Sequence, residues 1–111
     1  MVTLVQARAF ALALPDATLQ DHHGIDSYRV RGKVFATVPD EEHVRVMLAE
    51  DEIRAAVAEY PDSCAPFYWG SRLACVVVVL EFVEEGLLRE LLFASWARKA
   101  PKALVQGFSE D

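Results

Sequence analysis

Ser27-Tyr28-Arg29-Val30-Arg31-Gly32-Lys33-Val34-Phe35-Ala36 decides the fold. Two short alternating runs rich in valine and aromatic residues flank a glycine, the pattern of a β-hairpin. With Gly32-Lys33 as a two-residue turn, strands at 27–31 and 34–38 place Val30 opposite Phe35 and Tyr28 opposite Thr37 on one face. Arg29, Arg31, Val34 and Ala36 then share the other face. Upstream, residues 17–23 suit a short strand and 24–26 a turn. Downstream, 39–42 is a turn and 43–48 alternates, with Val44, Val46 and Leu48 inward. Residues 73–80 are apolar throughout, which predicts a central strand covered on both faces. Phe67-Tyr68-Trp69 before Gly70 suits an aromatic loop or a short extra strand.

Helices bracket these strands. Thr3 with Gln6 forms a capping-box pattern, and Leu4, Ala7, Ala11 and Leu14 recur at helical spacing until Pro15, predicting a helix over 2–14. Glu50, Asp51 and Glu52 open a second helix, where acids suit the positive end of the dipole. Ile53, Ala56, Val57 and Tyr60 form its apolar stripe, and Pro61 ends it. A third helix covers 84–100, with Leu88, Leu91, Leu92, Ser95 and Trp96 on one stripe. The tail, 102–111, is expected to form a fraying helical turn. The order α-β-β-β-β-α-β-α predicts an α+β, two-layer fold: a single antiparallel sheet of about five strands with helices packed on it. The expected core is Leu14, Val30, Phe35, Val46, Ile53, Val57, Val77, Leu91 and Trp96.

With 111 residues, the chain has the length of one domain, 1–111. Its 53% hydrophobic content excludes disorder, and no apolar run approaches the ~20 residues that span a bilayer. The net charge of −6 lies in one segment. Residues 40–62 carry eight acids against Arg45 and Arg54, whereas 1–39 and 63–111 are nearly balanced. Such a field disfavours non-specific binding to polyanions but leaves room for local basic patches. Without a targeting signal, the chain is expected to be cytoplasmic. Cys64 and Cys75 are expected to be free thiols in that reducing setting.

The residues also carry a family resemblance. Ala13-Leu14-Pro15, the hairpin 27–36, Trp69-Gly70, Leu88-Arg89-Glu90-Leu91-Leu92, Trp96 and Ala100-Pro101-Lys102 occur in an order that resembles the MmcQ/YjbR family of small bacterial proteins. The resemblance implies a frataxin-like or secretion-chaperone-like two-layer fold. It also implies a DNA-binding role through a double-wing arrangement, and no reaction.

Few residue groups carry chemistry. Asp21-His22-His23 with Asp26 offers metal-ligating types, but strand neighbours point to opposite faces and no third ligand is evident, so no metal or cofactor is expected. Cys75 falls inside the apolar strand and Cys64 in a loop without an activating partner, so no catalytic residue is assigned. The candidates for phosphate contact are Arg29, Arg31 and Lys33 on the hairpin, with Arg98, Lys99 and Lys102 near the end of the last helix. Phe67, Tyr68 and Trp69 are candidates for a stacking or partner surface. Val34 and Ala36 beside the arginines offer surface for self-association. The expected function is weak duplex DNA binding through the basic hairpin. The alternative is a protein-interaction or homodimeric module without catalysis or DNA binding.

Overall fold

In the computed structural model, which describes residues 1–109, the chain begins with helix α1 (Leu4–Leu12). Its N-terminus is held as the capping box predicts: Thr3 Oγ1 accepts from the Gln6 amide at 3.1 Å, and the Gln6 side chain accepts from the Thr3 amide at 2.9 Å. Strands β1 (Ala17–His22), β2 (Ile25–Val30), β3 (Lys33–Asp40) and β4 (His43–Val46) follow as a meander. Helix α2 (Glu50–Glu59) then carries the chain to β5 (Cys64–Trp69) and β6 (Arg72–Val79). Helices α3 (Glu85–Lys99) and α4 (Lys102–Ser109) close the fold.

The sheet is antiparallel throughout, with strand order β1-β2-β3-β4-β6-β5. The α+β architecture is as expected, and the sixth strand is the aromatic segment ending in Trp69. Helices pack on one face, over a core led by Trp96, Tyr28, Phe35, Ile53, Leu88 and Leu92.

The hairpin turn lies one residue earlier than expected. Arg31 and Gly32 occupy it with φ of 50° and 82°, the left-handed pair that a type I′ turn requires. Arg31 tolerates this conformation while its Nε donates to Asp16 at 2.6 Å across the sheet edge. Val30 therefore faces Lys33, Arg29 faces Val34 and Ser27 faces Thr37. A bulge follows, with Tyr28 opposite Ala36 and Phe35 as the extra residue. Both Phe35 and Ala36 are fully buried, so Ala36 offers no surface for self-association.

Strand β6 is covered by helices on one face only. Val76 and Val78 are fully buried beneath them, whereas Val77 on the other face is half-buried. Leu14, Val57 and Leu91 are likewise half-buried at the rim of the core. The tail is a docked helix: the Phe108 ring lies 5.7 Å from Phe93 and 5.4 Å from Trp96. The last two residues of the chain, also expected to fray, lie outside the described residues.

Candidate functional site

The face of the sheet opposite the helices is open, and it is concave. His22 of β1 and Trp69 of β5 line the same cleft, of about 260 Å³, with Ile25, Arg45, Phe67 and Cys75. Those two strands lie at opposite edges of the sheet. In a flat sheet they would be about 24 Å apart, so the sheet curls its edges toward one another around the cleft.

Strand alternation aims basic and aromatic side chains into this concavity. On β2, Arg29 donates from Nε to Ser27 Oγ at 3.1 Å and from Nη2 to the Asp21 carbonyl at 3.4 Å, beside His22 Nδ1. Buried Ser27 in turn donates to the Gln20 carbonyl at 2.9 Å. On β4, the Arg45 guanidinium lies over the Phe67 ring, 4.4 Å from its centroid. Arg45 Nε is buried and has no hydrogen-bond acceptor among the described residues. Phe67 and Trp69, two residues apart on β5, stand with ring centroids 6.3 Å apart, and Trp69 is 70% exposed.

A second hollow adjoins the first and shares His22, Thr37, Met47, Arg72 and Ala74 with it. Its rim carries Arg72, Arg98 and Lys99. Burial holds the Lys99 ammonium below its ordinary value, and Arg98, Lys33 and Arg72 add repulsion to it. These four cations therefore form one electrostatic cluster, although they come from β3, β6 and α3. The acid lining these two hollows is Glu50, which accepts from Arg54 at 2.7 Å. The opposite pole is acidic: Glu59, Asp62, Glu84 and Glu90 line one hollow there. The Tyr60 phenol in that hollow is held above its ordinary value, first by its hydrogen bond to Glu59 and then by the surrounding carboxylates.

The structure divides the candidate residues read from the sequence. Lys33, Arg98 and Lys99 belong to the cluster, and Arg29 lies on the open face. Arg31 sits in the turn, paired with Asp16. Lys102 lies exposed in the first turn of α4 and lines neither hollow. Phe67 and Trp69 face the cleft, whereas Tyr68, 51% exposed, turns to the other side against Ile53, Arg54 and Val57 of α2. The sequence reading missed Arg45 and Arg72. The alternation His43-Val44-Arg45-Val46 already placed Arg45 opposite the inward valines; Arg72 gave no comparable signal. Among the described residues, no three His, Cys, Asp or Glu side chains gather as a metal-ligand set. His22 and His23 do meet, with centroids 4.7 Å apart, because His23 leaves the strand at φ 53°.

Both cysteines are buried and free. Cys64 opens β5 rather than lying in a loop, opposite Val78, while Cys75 faces Phe67. Burial pushes the Cys75 thiol up to about 11, with Arg45 opposing weakly. Burial also raises Cys64, against the hydrogen bond it shares with Ser63. Because the thiolate is the nucleophile, both thiols should react slowly in the native protein at pH 8 and rapidly after unfolding. Titration with a disulfide reagent, with and without denaturant, checks this; rapid native labelling of Cys75 would contradict its burial.

No helix among the described residues is long and apolar enough to cross a membrane. No curated protein matches the chain. The solved structure of the Deinococcus radiodurans protein DR2400, whose domain is described as DUF419, is similar over 98% of this chain and 89% of that one. Its TM-score is 0.76 at 21% identity, a likeness of fold. The YjbR family model matches residues 12–98, from the end of α1 through all six strands to the end of α3. That span holds both the curled sheet and most of its basic rim, and on this match the chain belongs to the YjbR family.

Proposed function

We propose that this domain acts by binding rather than by catalysis, and that it holds nucleic-acid phosphates on the basic rim of its open face. The observation that carries the reading is the convergence of Arg72, Arg98 and Lys99 on one hollow, with Lys33 close enough to repel Lys99, in a chain whose net charge is −6. Clustering like charges costs free energy, which an anionic ligand would recover. The acidic pole on the other side repels a polyanion and favours approach from the rim. The basic wing read from the hairpin is thereby redrawn: Lys33 takes part, whereas Arg29 is tied to Ser27 and the Asp21 carbonyl and Arg31 to Asp16.

Four phosphate contacts give a log–log salt slope of about −3 to −4, and affinity should be weak, about micromolar at low salt. Arg72→Ala should flatten the slope by about one unit, while Arg31→Ala leaves it unchanged. Fluorescence anisotropy with labelled DNA at several salt concentrations measures both. Unchanged anisotropy at high micromolar protein and low salt would exclude the reading. Exposed Trp69 and Tyr68 at the sheet edge favour one other reading, a protein-binding or homodimeric surface. It predicts a concentration-dependent mass in light scattering with no response to DNA.

A further inference from the structure

We infer that the cleft in the open face receives an unstacked base, so that the domain selects single-stranded over duplex nucleic acid. This inference rests on the phosphate reading above and names the form of ligand that the same face takes. Its first support is continuity: the cleft holding Arg45, Phe67 and Trp69 opens through Arg72 and His22 onto the basic rim. A strand lying along the rim would have its bases within reach of the cleft.

The second support is the chemistry of the cleft. Phe67 and the Arg45 guanidinium are stacked, and Trp69 stands beside them with most of its surface exposed. Aromatic rings and guanidinium planes hold bases by their faces, and stacking tolerates any sequence because every base has a π-face. A duplex keeps those faces inside its own stack and offers only edges and phosphates.

The test uses the full chain and three labelled probes of equal length: a single-stranded oligothymidine, a duplex, and an abasic strand with the same phosphates. The oligothymidine should bind on the order of 10-fold more tightly than the other two. Trp69→Ala should lower its affinity to that of the abasic strand and leave duplex binding and the salt slope unchanged. Arg72→Ala should weaken all three alike. Because Trp69 is exposed, its replacement should keep the fold, and circular dichroism checks this. Oligothymidine should also quench Trp69 emission, which the variant isolates from buried Trp96. Equal affinity for the three probes with a neutral Trp69→Ala overturns this inference and leaves the phosphate reading intact. Binding to none of them overturns both.

Discussion

Trp96→Ala should lower the free energy of unfolding by about 3–5 kcal/mol, the range for deleting a fully buried large aromatic side chain. Trp96 is 0% exposed, and its ring packs against Phe93 and Phe108. Its Nε1 donates to the Pro15 carbonyl at 2.9 Å. One side chain thus joins α3 to the loop after α1 and to α4, and its loss should release α4 as well as open a cavity. Trp96→Phe separates the two contributions. It keeps most of the ring volume but leaves the Pro15 carbonyl without its donor, at a cost of about 1–3 kcal/mol. Urea midpoints and m-values of both variants measure this, and a loss under about 1 kcal/mol for the alanine variant would contradict the packing described.

Phe35→Ala should have a similar effect, about 3–5 kcal/mol. Phe35 is the bulge residue of β3, and the bulge turns its side chain into the core beside Tyr28, with centroids 6.5 Å apart. Its carbonyl accepts from the Met47 amide at 3.0 Å and from the Ser95 hydroxyl of α3. The backbone here is therefore fixed between sheet and helix and cannot easily collapse into the space left by truncation. Val77→Ala, on the open face, should cost clearly less. If the two substitutions proved equally damaging in denaturant titrations, the one-sided packing of the sheet would be wrong.

The sequence was most legible where the governing interactions are local. Thr3 and Gln6 are three residues apart, and their reciprocal bonds start α1 where the pattern places it. The hairpin was legible as a hairpin, but its turn was not. Arg31-Gly32 lacks the Asn or Asp that commonly marks the first left-handed position, and the partner of Arg31 is Asp16, fifteen residues away. The run of valines in β6 suggested a strand covered on both faces, and helices cover only one. Cys75 is buried on the side without helices, sheltered by the curl of the sheet and by Phe67 and Arg45. Lys33, Arg98 and Lys99 of the basic cluster were legible, and Arg72 was hidden for a topological reason. Arg72 approaches Lys99 because β6 inserts between β4 and β5, and no pattern along the chain encodes that order.

The last strand of the sheet carries a safeguard against growth. β5 is an edge, and Pro66 sits midway along it opposite Val76. Proline has no amide hydrogen, so it is accommodated in an edge strand with its ring nitrogen turned away from the neighbouring ladder. An incoming seventh strand would meet a missing donor and ring carbons at the centre of the edge, just before the aromatic residues Phe67, Tyr68 and Trp69, which are otherwise suited to amyloid-like stacking. The proline leaves Phe67 and Trp69 free to present their rings across the face of the sheet, while denying the backbone beneath them as a template for fibril assembly.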